Sequence, residues 1–146
     1  MSGPSITRRG FMGGVAGAAA AQMVRPAAAQ PAPGDGKIKA GVIGLGGRGN
    51  MITQLVEAHG GYQLTAVADY FPKVAEEAGR QFNIPEKNRF SGLTSYQRLL
   101  ESGVEAVFLE TPPYCFPDHV EAAVAAGIHV YLAKPVACDV PGCLRV

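Results

Sequence analysis

Residues 38–49, "IKAGVIGLGGRG", set an apolar run directly against a cluster of glycines, and few folds accommodate that junction. The first six residues are mostly apolar, as in a strand buried on both faces of a parallel sheet. The turn Gly44-Leu45-Gly46-Gly47-Arg48-Gly49 follows without a spacer, and a helix is expected over 50–59, with Ile52, Leu55 and Val56 on one face and Gly60 as its stop. G-x-G-x-x-G between a strand and a helix suits phosphate binding. Gly44 permits the tight turn, Gly46 lets backbone approach a pyrophosphate, and Gly49 lets the helix lie close to the strand. The helix start adds free N–H groups and the positive end of its dipole. Leu45 and Gly47 complete the loop, and Arg48 either reaches a phosphate from it or lies solvated at the helix start.

A second strand is expected over 63–68, ending in Asp69, twenty residues beyond Gly49. A Rossmann fold places there a carboxylate that accepts hydrogen bonds from the adenosine ribose hydroxyls. A 2′-phosphate would meet like charge at Asp69, so NAD is expected as cofactor in preference to NADP. Asp69 can also cap the helix opening around Pro72, and the two roles are compatible.

The remaining pattern alternates helices and strands. A helix is expected over 72–82 with Val74, Ala75, Ala78 and Phe82 inward, then a short strand over 89–91. Thr94-Ser95-Tyr96-Gln97 has capping-box spacing, opening a helix that carries Leu99 and Leu100 and stops at Gly103. A strand over 106–109, a helix over 117–126 closed by Gly127, and a strand over 129–132 complete the series. Short connections between such elements demand a parallel sheet with right-handed crossovers. The fold class is α/β, a doubly wound parallel sheet in the order 3-2-1-4-5, with the Gly44 and Thr111 turns flanking one crevice at the switch point.

The Gly44 turn with Asp69, and then "ETPPYCFPDHVEAAVAAGIHVYLAKPVA" over 110–137, together resemble the Gfo/Idh/MocA oxidoreductases. The likeness runs from about Lys37 to the end. It implies an N-terminal Rossmann domain joined to an α/β substrate domain, and hydride transfer between a nicotinamide ring and a carbohydrate or polyol carbon. It also implies that Lys134, followed by Pro135, sits beside the nicotinamide and the reacting hydroxyl, where a cation favours the alkoxide that forms as hydride leaves. Thr111, Pro112 and Pro113 would form the floor under the nicotinamide ribose. Two positions depart from the family pattern: Ala133 stands where a glutamate precedes the lysine, and Phe116 stands where a histidine follows the Thr-Pro turn. His119, one helical turn later, reads as a structural histidine in preference to a ligand or acid.

The first thirty residues read as an address. "TRRGFMGGVAGAAAAQMVRPAAAQ" has a basic start, an apolar stretch over 11–21 too short to span a bilayer, and Ala27-Ala28-Ala29 in a small-x-small cleavage pattern. Thr7 to Met12 resembles the twin-arginine export motif, so residues 1–29 are expected to be a signal peptide read by the twin-arginine machinery, with a mature start at Gln30. Residues 30–36 form a linker, residues 37–146 the dinucleotide-binding domain, and the destination is the periplasm. Formal charge is +1, but Arg8, Arg9 and Arg25 lie in the leader, which has no acid; the remainder holds ten basic residues against twelve acids, a net of −2. That balance gives no support for nucleic-acid binding or a basic membrane-attracted face.

Cys115, Cys138 and Cys143 match no zinc framework, no metal site is expected, and the thiols read as buried or idle. The expectation is the cofactor-binding portion of an exported sugar or polyol oxidoreductase, its C-terminal substrate domain absent from these 146 residues. By itself this portion is expected to be inactive and prone to association, with homo-oligomers left open. The alternative is a non-catalytic dinucleotide-binding or interaction module, complete as it stands.

Overall fold

A computed structural model describes residues 36–146 of the chain. The expected leader over 1–29, with its expected cleavage before Gln30, and all of the expected linker but Gly36 lie outside the described residues. Five strands alternate with helices: β1 (Ile38–Ile43), α1 (Gly47–His59), β2 (Tyr62–Asp69), α2 (Pro72–Gln81), β3 (Arg89–Ser91), α3 (Ser95–Leu100), β4 (Ala106–Leu109), α4 (Phe116–Ala125), β5 (His129–Leu132) and α5 (Val140–Arg145). The sheet order is β3-β2-β1-β4-β5 and every pairing is parallel, as expected from the alternation. Among the described residues, no helix is long and apolar enough to cross a membrane.

Both faces of the sheet are covered, and the two-residue side-chain period of the strands divides the core in two. Ala40 and Val42 of β1, Val67 of β2 and Phe108 of β4 pack with Leu45, Val56, Ala78, Phe82 and Ile84 under α1 and α2. Ile43, Ala66, Ala68, Val107 and Leu109 point the other way, into a cluster with Leu99, Phe116, Val120, Ala123 and Ile128 under α3 and α4. Burying side chains such as Val42, Leu99 and Phe116 contributes about 2 kcal/mol each.

Several expectations need correction. α1 starts at Gly47, three residues earlier than anticipated, because glycines in a first turn lose no hydrogen bond by joining the helix. Its inward face is Gly49, Thr53 and Val56 with Ile52 packed against the core as expected, whereas Leu55 points outward at 59% exposure. Thr53 is tolerated in the interior because its hydroxyl donates to the Gly49 carbonyl at 2.7 Å. The Thr94 capping box does not form: Thr94 sits at φ −94°, ψ 10°, away from the extended backbone of a capping residue, and makes no side-chain cap bond. α4 begins at Phe116, one residue early. Phe116 itself is core, 1% exposed, so a histidine there would face apolar packing. The thiols are not buried: Cys138 and Cys143 are exposed and Cys115 is half-buried, all three free.

The end of the chain behaves as its residues suggest. Asp139 caps α5 by accepting from the Gly142 amide at 2.7 Å, and Pro141 occupies the first turn. Arg145 then reaches back to Asp118 on α4 at 2.7 Å, fastening the last helix to the body of the domain.

Candidate functional site

The glycine turn is shaped by close backbone contacts. Gly44 adopts φ +90°, and a Cβ there would meet the Glu110 carbonyl carbon and the Thr111 nitrogen at 2.7 Å. A Cβ on Gly49 would stand 1.8 Å from the Gly44 carbonyl oxygen, so only glycine brings α1 this near to the end of β1. Gly46 and Gly47 have open space instead, with nothing within 4 Å of an added Cβ. α1 opens with no side-chain cap and no acid in its first turn, leaving its leading amides and dipole available to an anion.

Asp69 closes β2 beside this turn, 8% exposed, with both carboxylate oxygens engaged by backbone. Oδ2 accepts from the Leu45 amide at 2.7 Å and Oδ1 from the Phe71 amide at 2.9 Å. One side chain thus ties the glycine turn to the start of α2, and each oxygen keeps a further lone pair for a donor from solvent or ligand. Asp69 does not cap α2 as weighed: Phe71 is the capping residue and has no side-chain cap bond, and the Asp69 bond to the Phe71 amide closes a turn ahead of the helix.

A cleft of about 740 Å³ opens at the carboxyl edge of the sheet, where β1 lies between β2 and β4. Gly44 and Gly46, Asp69, and Thr111 and Pro112 all line it. Leu45, Gly47, Gly49 and Pro113 belong to the same turns without lining the cleft, while Arg48, also outside the wall, is bonded to Glu110, which is part of it. Lys134 and Pro135 follow β5 on the same edge; Lys134 is exposed and lies outside the cleft wall, joined to Pro135 by a cis peptide. Ala133 is buried in the core, so this segment supplies no carboxylate to orient the lysine.

Two features escaped the sequence reading, the burial of Glu110 and an aromatic pair after β2. Glu110, directly after β4, buries its side chain completely and pairs with Arg48, Nε to Oε2 at 2.9 Å. Tyr70 and Phe71 line the cleft as an edge-to-face pair with centroids 4.9 Å apart, each more than half exposed. Their position directly after Asp69 was the only signal available. His119 also lines the cleft, with Nδ1 3.3 Å from the Thr111 hydroxyl and its ring 4.3 Å from that of Tyr96. It is well packed, in keeping with the structural role expected of it.

Burial pushes the His119 imidazole below its usual value of 6.5, with Asp118 opposing the shift. The unfolded chain therefore takes up a proton at higher pH than the folded one, and stability falls as pH drops from about 6.5 toward the lowered folded value. Denaturation midpoints followed between about pH 7.5 and 5.5 are expected to fall more steeply for the wild type than for His119→Gln. Parallel slopes would remove His119 from this account. The Cys115 thiol is pushed up by burial, and by Asp118 and Cys138, so it stays protonated near neutrality and is a poor nucleophile.

The family described as "oxidoreductase family, NAD-binding Rossmann fold" matches residues 38–146. This chain belongs to the Gfo/Idh/MocA family. Among solved structures, the domain is similar to myo-inositol 2-dehydrogenase from Lactobacillus plantarum (TM-score 0.66, 23% identity), covering 75% of this chain and 31% of that one. Scyllo-inositol dehydrogenase from Lactobacillus casei, solved with NAD(H) and scyllo-inositol bound, gives 0.64 at 22% identity over 73% and 30% of the two chains. Aldose-aldose oxidoreductase from Caulobacter crescentus, complexed with glycerol, gives 0.65 at 30% identity over 75% and 33%. The chain thus spans about a third of the length of the Gfo/Idh/MocA structures it matches.

Proposed function

We propose that this domain holds NAD for an oxidoreductase that moves a hydride between the nicotinamide ring and a hydroxyl-bearing carbon of a sugar or polyol. The observation carrying this reading is the single cleft at the sheet's switch point. It gathers the Gly44–Gly46 turn, the Asp69 carboxylate and the Thr111-Pro112 turn beneath an uncapped helix start. Open space at Gly46, which lines the cleft, accommodates a pyrophosphate against the backbone, and the spare lone pairs of Asp69 accept from ribose hydroxyls. The polyol and aldose enzymes among the similar structures support the substrate class.

Bound NAD supplies the hydride acceptor. The residues of this chain bind and orient it, and the Lys134 ammonium, beyond the carboxyl end of β5, favours the alkoxide that forms at the reacting hydroxyl as the C–H bond gives up its hydride. In the complete enzyme, Lys134→Ala is expected to lower kcat by roughly a hundredfold or more while leaving NADH affinity within about twofold. Unchanged kcat and unchanged affinity together would remove Lys134 from the mechanism. Export belongs to the same proposal: protein recovered from the periplasm is expected to begin at Gln30, and an N-terminus at Met1 or Ser2 would argue against a cleaved leader.

A further inference from the structure

The Arg48–Glu110 pair is unequal. Glu110's side chain is wholly buried, whereas that of Arg48 is 55% exposed. Glu110 is fixed at its backbone, its amide donating to the Ile43 carbonyl at 2.8 Å and its carbonyl carbon pressed against Gly44. Its carboxylate touches one cation, through Oε2, while Oε1 is buried with no partner among the described residues. A buried carboxylate so poorly supplied with donors holds its one counter-charge firmly, because separation would leave it uncompensated. Arg48 is engaged only through Nε, so both Nη groups are without a hydrogen-bond partner among the described residues. Arg48 is the second residue of α1, one step from Gly49 and two from the open backbone at Gly46.

We infer that Glu110 is a positioning residue: it anchors Arg48 by Nε so that the remaining N–H groups of the guanidinium meet a phosphate of the dinucleotide. This rests on the NAD reading of the cleft. A guanidinium donates in a planar fork that matches phosphate oxygens, and fixing the fork beforehand saves the ordering cost that a free arginine incurs on binding. The alternative of a solvated Arg48 does not account for a buried acid with no other partner.

The test is a double-mutant cycle read by calorimetric NADH binding, with thermal midpoints taken on every variant. Arg48→Gln is expected to weaken NADH about tenfold, the scale of one charge-assisted contact. Glu110→Met, which keeps the volume and removes the acceptor, is expected to weaken it about fivefold beside Arg48 and not at all beside Gln at position 48. Glu110→Gln, which retains an acceptor for Nε, should restore most of the affinity. Adenosine, lacking phosphate, should bind all variants alike. If Glu110→Met does not fold, Glu110→Ala takes its place in the cycle. An unchanged NADH affinity in Glu110→Met, or an equal loss in both Arg48 backgrounds, overturns the inference and leaves the NAD reading intact. A wild type that fails to bind NADH overturns both.

Discussion

Gly49→Ala is expected to destabilise the domain by about 3 kcal/mol, near the upper end for forcing an extra carbon into packed structure. The added Cβ would lie 1.8 Å from the Gly44 carbonyl oxygen and 3.3 Å from the Glu110 Cβ. The first neighbour is backbone, so relief requires α1 to move away from β1. That movement would also disturb the amides offered to the pyrophosphate, and NAD binding should fall with stability. Gly47→Ala provides the contrast. Its Cβ meets nothing within 4 Å, so it should leave the thermal midpoint unchanged or raise it slightly, alanine being favoured over glycine in a helix. For a domain of this size the Gly49 variant should melt roughly 10 °C or more below the wild type. Equal midpoints for the two variants would show that the turn yields more easily than its geometry implies.

Asp69→Ser is expected to change cofactor preference and stability together. A serine hydroxyl removes the charge that repels a 2′-phosphate, so the ratio of NAD to NADP affinity should narrow by about tenfold or reverse. Serine is also too short to serve Leu45 and Phe71 at once. The Leu45 amide, bonded to Asp69 in a buried setting, then lacks its acceptor, at a cost of about 1–2 kcal/mol. Calorimetric titration with each cofactor reads the first effect, and amide exchange at Leu45 reads the second. An unchanged affinity ratio would remove Asp69 from cofactor selection, whereas an unchanged exchange rate would mean only that another acceptor replaces it.

The strands and their order were legible because each element carries an independent local signal. Apolar runs mark β1 and β4, and glycines at positive φ end α1 and follow α3 and α4, at Gly60, Gly103 and Gly127. The pairing then follows from chirality and short connections. What could not be read depended on contacts distant in sequence. Nothing beside Arg48 announces Glu110, which follows β4, and nothing in "ETPP" reveals that its acid is buried. Leu55 satisfied the helical period as well as Thr53 did, and only the proximity of β1 decided which of them turned inward. The Thr94 box failed for a local reason, since matching spacing does not ensure the extended backbone that capping requires. The site was legible where it rests on glycines and the end of β2, and illegible where a side chain from β4 supports the turn after β1.

The all-parallel sheet has a consequence for how this chain comes into being. Parallel neighbours are always separated by a crossover, and β1, at the centre, pairs with β4 through partners such as Ala40 and Ala106, 66 residues apart. At ordinary synthesis rates that interval is on the order of several seconds. During it, β1, β2 and β3 can associate, but the β4-facing edge of β1 has no partner, in a strand whose Ala40, Val42 and Ile43 end almost fully enclosed. The glycine turn is likewise unfinished, because Gly44 is shaped against Glu110 and Thr111. A nascent chain stalled before residue 106 would therefore present an open apolar strand edge and no completed nucleotide cleft, making it a substrate for chaperones before it can be a binder of NAD.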